Sequence, residues 1–310
     1  MIASDQRPPS SAHAALVGTT ASGKSALALA VARRDPTVEL VSVDSMQVYR
    51  GMDIGTAKPT PAERAEVPHH VVDVAEPWDD VTVADFQRWV AEALAGIEAR
   101  GHRALLVGGT GLYLRAVVDE LGIPGRFPEA RGTIETEADT ATLHGRLAAL
   151  DPVAARRMEP TNRRRVVRAL EVTVGSGRPF SSYGPGLEVY PPTRFGLVGV
   201  ALPADVVDAR IAARYGQQVA DGFVDEARRL REDPRGVSRT AGQALGYKEL
   251  FAHLAGEATL DDALDLAVRR TRRFARRQRS WFARDPRITW LRADDPATLV
   301  DPLAAALGVA

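Results

Sequence analysis

Residues 18–25 read Gly18-Thr19-Thr20-Ala21-Ser22-Gly23-Lys24-Ser25, and the fold class follows from this stretch and its flanks. The apolar run 14–17 precedes it, and the helix-forming run 26–32 follows it. A glycine-rich loop that joins a strand to a helix and ends in Lys-Ser is typical of a phosphate-binding loop. Its glycines let backbone N–H groups turn toward a phosphate, Lys24 adds a positive charge, and the Ser25 hydroxyl can hold Mg²⁺. The sequence therefore predicts a phosphorylated ligand at the start of the first helix.

The acidic residue of a hydrolytic ATPase is missing from the strand where it is expected. That strand, 103–107, is followed by Gly-Gly-Thr-Gly rather than by Asp or Glu. The strand 38–43 ends instead in Asp44, and in a doubly wound sheet this residue comes to the carboxyl edge beside the phosphate-binding loop. We therefore expect Asp44 to meet a second substrate there.

Strand-like and helix-like segments alternate along the first part of the chain, which predicts an α/β fold with a doubly wound parallel sheet. The predicted strands are 14–17, 38–43, 69–74, 103–107, 194–202 and 287–291, and the predicted helices of the first part are 23–34 and 82–100. Between 124 and 186 the pattern is helical. We predict a disordered leader at 1–12, a P-loop core domain formed by 13–123 and 187–310, and an all-helical insertion domain at 124–186.

Composition narrows the class of protein. The 310 residues contain 40 Lys plus Arg and 40 Asp plus Glu, so the net charge is zero, and there is no cysteine. Disulfides, thiolate zinc sites and cysteine nucleophiles are therefore excluded. No apolar run has the length of a membrane span, and the first residues lack the apolar core of a signal peptide. We expect a cytoplasmic monomer with no membrane partner.

Arginine is concentrated in two places despite the neutral balance. Residues 269–284 contain eight arginines and no acid. Phe274, Gln278, Trp281 and Phe282 recur there at helical spacing, so one stripe can pack on the protein while guanidinium groups face outward. A solvated charged helix face is the plainer interpretation, but unbalanced arginines favour binding to a phosphate backbone. A second cluster, 163–168, lies in the predicted insertion, and the two clusters together would suit a polyanionic substrate.

Seven stretches together resemble the tRNA dimethylallyltransferase family. They are 18–25, 44–59 with Asp44-Ser45-Met46-Gln47 and Gly55-Thr56-Ala57-Lys58-Pro59, 69–73, 108–113, 165–171, 242–249 and 276–282. The resemblance implies a P-loop NTPase-like fold and transfer of a dimethylallyl group from dimethylallyl diphosphate. The acceptor would be the N6 amine of the adenosine 3′-adjacent to the anticodon, in tRNAs that read codons beginning with U. It also implies Mg²⁺ as cofactor and the tRNA anticodon stem-loop as partner.

The same resemblance implies roles for particular residues. Asp44, Thr110 and Lys24 would be catalytic: Asp44 takes a proton from the amine, Thr110 steadies the acceptor, and Lys24 stabilises the departing diphosphate. The diphosphate would be bound by Gly18, Thr19, Thr20, Ala21, Ser22, Gly23, Lys24, Ser25 and Arg214, with the metal held through Ser25. The tRNA would be bound by Asp44, Ser45, Met46, Gln47, Thr110, Arg131, Arg164, Arg165, Arg168, Gln243, Gly246, Tyr247, Lys248, Arg272, Arg273, Arg276 and Arg277.

Other interpretations stay open at the level of the residues. A small-molecule P-loop kinase or an adenylate prenyltransferase would share the core but would leave both arginine clusters without a role. A nucleic-acid-binding module that uses nucleotide as a switch would leave Asp44 unexplained. His69 and His70 look like a metal pair, but neighbouring strand side chains point to opposite faces, so we expect a structural role for both.

Overall fold

Six parallel strands form one sheet in the order β3-β2-β4-β1-β5-β6. The computed structural model describes residues 13–309, so the leader predicted at 1–12 lies outside the described residues. The strands are β1 (His13–Gly18), β2 (Val38–Val43), β3 (His69–His70), β4 (Arg103–Gly108), β5 (Phe195–Ala201) and β6 (Thr289–Arg292). The predicted α/β class with a parallel sheet is confirmed.

Helices occupy most of the remaining chain. They are α1 (Lys24–Ala32), α2 (Pro61–Glu66), α3 (Val83–Ala99), α4 (Gly111–Val118), α5 (Pro128–Glu135), α6 (Thr140–Leu150), α7 (Pro152–Arg156), α8 (Arg163–Ser176), α9 (Ala204–Ala220), α10 (Phe223–Glu232), α11 (Tyr247–Leu254), α12 (Leu260–Phe282) and α13 (Val300–Leu307). Short 3-10 helices lie at Phe180–Tyr183, Ala241–Gln243 and Pro296–Leu299.

Local sequence explains how these elements form. In α3, Phe86, Val90, Leu94 and Ile97 are buried at helical spacing, and Thr82 begins the helix with a capping box. All six residues of β2 are buried. Since alternate side chains of a strand point to opposite faces, β2 is covered on both sides, as a doubly wound sheet requires.

The third predicted strand is shorter than the sequence indicates. Residues 69–74 were expected to be extended, but β3 contains only His69 and His70. The backbone of Val71 and Asp73 has φ of 60° and 56°, which is incompatible with a strand. This bend lets the Asp73 carboxylate accept hydrogen bonds from Lys58 and Arg64.

The two neighbouring histidines make separate contacts. His69 Nδ1 is hydrogen-bonded to the Val67 carbonyl at 2.7 Å, and His70 Nε2 to Glu39 Oε2 at 2.6 Å. Glu39 is buried and also binds Arg100 and His102. The hydrogen bond from Arg100 is the main reason that the Glu39 pKa falls to about 2. His70 therefore joins β3 to the amino end of β2 through Glu39, whereas the contact of His69 is local.

A separate helical unit comprises Asp119–Pro191 and extends five residues beyond each end of the predicted insertion. Within its described residues it contains no strand. Ile134, Leu143, Leu147, Val166 and Leu170 form its own hydrophobic core. Across residues 13–309, every helix is too short or too polar to traverse a bilayer.

Candidate active site

The phosphate-binding loop connects β1 to α1 through residues with a left-handed backbone. Ala21 has φ 60°, and Gly23, at the N-cap of α1, has φ 85°. Within the part of the chain that the structure describes, no side chain caps this helix. Since the first N–H groups of a helix have no acceptor within it, those of α1 can meet an anion at the carboxyl edge of the sheet.

Two side chains from distant parts of the chain hold this loop. The Thr20 N–H donates to Gln278 Oε1 at 2.8 Å, and Gln278 Nε2 donates to the Gly109 carbonyl at 2.9 Å. Arg210 Nε donates to the Ala21 carbonyl at 2.8 Å. The sequence assigns Gln278 only to a packing stripe and does not single out Arg210. Thr20, which it places among the diphosphate ligands, already uses its N–H within the protein.

Lys24 is buried under the loop, where its ammonium group donates to the Thr19 carbonyl at 2.6 Å. Burial lowers the Lys24 pKa to about 8, and the nearby positive charge of Arg214 acts in the same direction. The negative charge of Asp44 opposes both effects. Lys24 thus lies in a pocket that favours an additional negative charge.

Two polar side-chain atoms near this lysine are buried without a hydrogen-bond partner in the described part of the chain. They are Ser22 Oγ and Arg214 Nε. Burial lowers the pKa of the Arg214 guanidinium, while Tyr215 and the Asp44 carboxylate act to raise it. Because leaving a buried donor unpaired costs free energy, both groups are suited to an oxyanion that binds beside the loop.

Asp44 follows β2 at the same edge of the sheet and is half-buried. Its Oδ1 accepts the Met46 N–H at 2.8 Å. Burial raises the pKa of the Asp44 carboxyl, whereas the Met46 N–H and the Lys24 charge lower it. A carboxylate whose pKa is raised by its surroundings is a better proton acceptor than an exposed one.

Thr110 connects the ends of β4 and β2, since its Oγ1 accepts the Ser45 N–H at 3.4 Å. The close approach depends on Gly108, which pairs with Val43 in the sheet. A Cβ at Gly108 would lie 2.0 Å from the Val43 carbonyl oxygen. Absence of a side chain at this position therefore lets Thr110 and Asp44 converge on one edge.

The Gln47 side chain makes three hydrogen bonds within the protein, and its contact with tRNA stays a prediction. Ser42 Oγ donates to its Oε1 at 2.8 Å. Its Nε2 donates to the carbonyls of Thr56 and Ala57 at 3.2 and 3.1 Å. The side chain therefore binds the segment 56–57 to the end of β2, while tRNA contact by Ser45 and Met46 stays a prediction.

The stretch 243–248 divides into exposed and buried positions. Gln243 and Lys248 are exposed, and their contact with tRNA stays a prediction. Gly246 is buried, and the Tyr247 side chain is 0% exposed with its hydroxyl bound to Glu226. Packing removes both residues from solvent in this structure, and their contact with tRNA stays a prediction.

The arginine-rich segment forms the second half of α12, and several of its guanidinium groups already have protein partners. Arg272 donates to the Asp208 carbonyl at 3.1 Å, and Arg276 lies 3.9 Å from the Asp208 carboxylate. Arg270 is ion-paired with the buried Glu249. The positive surface is therefore smaller than the sequence suggests.

The outward face of α12 and the residues just after it form a shallow surface that is open to solvent. The residues that line it are Arg273, Arg276, Arg277, Ser280, Trp281 and Arg284. Arg273 and Arg277 are exposed, and no ion pair with either is found among the described residues. These two side chains, together with the exposed Arg284 just beyond α12, are available to a polyanion.

The arginines of the helical unit, like those of α12, include some with protein partners and some that are exposed. Arg168 donates to Glu171 at 2.8 Å and to the Pro124 carbonyl at 2.8 Å, and Arg131 donates to Glu171 at 3.3 Å. Arg131 and Arg168 thus stabilise this unit, whereas Arg164 and Arg165 are exposed. Contact of all four with tRNA stays a prediction.

The described residues contain no ready-made cluster of metal-binding side chains. Among residues 13–309, no group of three His, Asp or Glu side chains could hold a metal ion. Ser25 is exposed at the start of α1 and supplies one hard oxygen. Mg²⁺ commonly binds through one or two protein oxygens together with substrate phosphates and water, so this donor set fits it.

Comparison with known proteins gives consistent family matches. A family model described as IPP transferase matches residues 47–285, and one described as isopentenyl transferase matches residues 12–73. The chain is 49% identical to a tRNA dimethylallyltransferase of Nocardioides sp. over 93% of each chain. It is 48% identical to one of Streptomyces coelicolor over 92% of this chain and 91% of the relative.

A solved structure shares the fold. The crystal structure of a full-length tRNA isopentenylpyrophosphate transferase from Bacillus halodurans superposes with a TM-score of 0.68. It is 36% identical to this chain, and the match covers 96% of both.

Proposed function

The chain belongs to the tRNA dimethylallyltransferase family, and we propose that it transfers the dimethylallyl group of dimethylallyl diphosphate to an adenosine of tRNA. One observation carries the chemical assignment: Lys24, Arg214 and Asp44 interact electrostatically beside an uncapped helix start. The family match supports prenyl transfer over the small-molecule kinase and the free-adenylate prenyltransferase.

The positively charged groups of this site act on the prenyl donor, dimethylallyl diphosphate. As the bond between the allylic carbon and the diphosphate oxygen breaks, negative charge builds on the leaving diphosphate. Lys24, Arg214 and the first N–H groups of α1 stabilise that charge. Their burial strengthens the interaction because little water screens it. Gln278 and Arg210 keep the loop in shape for this anion.

The acceptor half uses Asp44. The lone pair of the N6 amine is delocalised into the adenine ring, so the amine is a weak nucleophile. When the nitrogen attacks the allylic carbon, a C–N bond forms, the C–O bond breaks, and the amine loses a proton to the Asp44 carboxylate. Thr110, held next to Ser45, helps to place the acceptor. Adenine reaches such a pocket only after leaving its base stack.

Mg²⁺ is part of the proposal. Ser25 would hold the ion together with diphosphate oxygens, and the ion would neutralise charge on the leaving group. Removing the metal with a chelator tests whether transfer needs Mg²⁺, and adding back Mn²⁺ tests whether another divalent ion can replace it. The binding of dimethylallyl diphosphate is measured together with turnover in both cases.

The acceptor position and the working form of the protein complete the proposal. We infer modification of the adenosine 3′-adjacent to the anticodon in tRNAs that read codons beginning with U. We also propose that the working form is a monomer. A tRNA substrate supports a cytoplasmic location.

One assay tests the proposed function. Purified protein is incubated with undermodified tRNA, Mg²⁺ and labelled dimethylallyl diphosphate, without ATP. We expect label in tRNA, located at N6 of the proposed adenosine by nucleoside analysis. Free AMP and a transcript with guanosine at that position serve as matched controls and should remain unlabelled. Label confined to AMP, or a requirement for ATP, would contradict the proposal.

A further inference from the structure

A buried carboxylate from a distant helix holds the segment that follows the catalytic edge. Glu226, on α10, is 2% exposed. Its Oε2 accepts the N–H groups of Asp53 and Ile54, each at 2.9 Å, and its Oε1 accepts the Gly55 N–H at 3.1 Å. Three consecutive backbone donors thus converge on one side chain that lies more than 170 residues away in sequence.

The surroundings of Glu226 reinforce this contact. The Tyr247 hydroxyl donates to Glu226, and Gln218 donates to the Ile54 carbonyl. Burial and the Glu226 charge raise the Tyr247 pKa, so this phenol keeps its proton. A Cβ at Gly55 would lie 2.2 Å from the Phe223 ring, so the segment lies directly against these helices.

The next contacts in the chain lead from this segment to Asp44. The carbonyls of Thr56 and Ala57 accept from Gln47 Nε2, and Gln47 Oε1 accepts from Ser42 Oγ. Asp44 lies between Ser42 and Gln47 in the sequence. The bonds from Glu226 through segment 53–57 therefore reach Gln47 and Ser42, the residues that flank Asp44 in the sequence.

We propose that Glu226 is a positioning residue for Asp44: it sets the place of the proton-accepting carboxylate through segment 53–57 and Gln47, without touching substrate. This inference rests on the proposed function. It concerns the acceptor half of the reaction alone, because a separate set of contacts, from Gln278 and Arg210, holds the phosphate-binding loop.

Glutamate suits this position for a chemical reason. A carboxylate only accepts hydrogen bonds, and both of its oxygens accept them here. The amide of glutamine has one oxygen and one NH₂ group, so Glu226→Gln would set donor against donor at one or two of the backbone N–H groups. A buried unpaired N–H is costly, and the segment would shift to relieve it.

The experiment compares Glu226→Gln with the wild type in two backgrounds, Asp44 and Asp44→Asn. We expect Glu226→Gln to lower kcat by roughly tenfold to a hundredfold, since a misplacement of about 1 Å has that effect on a catalytic group. The Kd of an unreactive dimethylallyl thiodiphosphate should stay within about twofold of wild type. In the Asp44→Asn background, Glu226→Gln should lower kcat by less than about twofold, because effects transmitted through one group are not additive.

Two further variants keep the test interpretable. Glu39→Gln alters another buried, multiply bonded carboxylate, at the amino end of β2, and should lower the melting temperature while leaving kcat near wild type. If Glu226→Gln does not fold, Tyr247→Phe removes one donor to Glu226 and should show a smaller kcat loss with the same dependence on Asp44. Equal kcat losses in both backgrounds, an unchanged kcat, or a parallel loss of thiodiphosphate binding would overturn the inference. Wild-type protein that leaves tRNA unlabelled would refute the proposed function instead.

Discussion

Gln278 accepts the Thr20 N–H at 2.8 Å across 258 residues of sequence. The same buried amide donates to the Gly109 carbonyl, so one side chain of α12 joins the phosphate-binding loop to the end of β4. The phosphate-binding loop and the sheet edge that carries Thr110 are therefore fixed to one another. This arrangement keeps the two halves of the proposed reaction in register.

Removing this amide should weaken donor binding selectively. Gln278→Leu leaves the Thr20 N–H and the Gly109 carbonyl unpaired, at a cost of about 1–3 kcal/mol per group. We expect KM for dimethylallyl diphosphate to rise about tenfold or more, as steady-state kinetics would measure. Gln217→Leu, on the exposed side of α9, is the control and should behave as wild type. An unchanged KM in Gln278→Leu would show that the loop holds its shape without this bond.

Loss of the Asp44 carboxylate should affect chemistry more than binding. We expect Asp44→Ala to lower single-turnover transfer by roughly a hundredfold or more, in line with loss of a general base. Filter binding should give a tRNA affinity close to wild type. Asp221→Ala, at the exposed end of α9, controls for removal of a surface carboxylate. Transfer at the wild-type rate in Asp44→Ala would remove this residue from the mechanism.

The low pKa of Lys24 predicts a pH limit for donor binding. Burial places this pKa at about 8 in the free protein, so Lys24 carries its charge below that pH and loses it above. A bound anion favours the charged form, and the affinity for dimethylallyl thiodiphosphate should therefore fall above about pH 8 by up to about one log unit per pH unit. Calorimetric titration from pH 6.5 to 9.5 measures this.

Lys24→Arg provides the matched variant, since arginine stays charged over that range. Its affinity should be lower than wild type at pH 7 but independent of pH. If the wild-type affinity does not change up to pH 9.5, either Lys24 is still charged at that pH or it does not contact the diphosphate.

The exposed arginines of α12 should control the salt dependence of tRNA binding. Replacing Arg272, Arg273, Arg276 and Arg277 with Ala is expected to weaken binding and flatten its salt dependence. The structure assigns most of this effect to Arg273 and Arg277, because Arg272 and Arg276 lie against Asp208. The double variant Arg273→Ala with Arg277→Ala should reduce the slope of log K against log salt by about 1 to 2.

Arg88→Ala is the control for this measurement, because Arg88 is exposed on α3 and is paired with Glu92. Its salt slope should equal that of wild type. If the Arg273 and Arg277 variant also keeps the wild-type slope, the α12 surface is a solvated charged face rather than a binding surface.

The parts of the fold that sequence predicts well are those set by local pattern. Apolar runs bounded by turn residues marked all six strands of the sheet, and the Gly-rich loop marked the start of α1. The strand at 69–74 was predicted too long because two residues with positive φ, Val71 and Asp73, interrupt an otherwise apolar run. The local composition contains no residue that predicts this turn.

Partners far apart in sequence were beyond prediction. Gln278 was identified as a packing residue, Arg210 was not singled out, and Glu226 lay in an ordinary charged helix. Each contacts a backbone group more than 170 residues away. Helical spacing shows which face a residue occupies, but it does not show which loop that face will meet.

Local sequence patterns suffice to predict the fold class and the chemistry of the sheet edge, since a glycine-rich Lys-Ser loop and an aspartate after a buried strand predict a phosphate site and a carboxylate at the carboxyl ends of parallel strands. Which polar groups are available there depends on the folded chain. Folding buries Tyr247 and engages Arg168 and Arg272 with protein acceptors, and it leaves Arg214 Nε and Ser22 Oγ without a partner among residues 13–309. The physical reason is that burial and hydrogen-bond satisfaction depend on neighbours brought together only by folding.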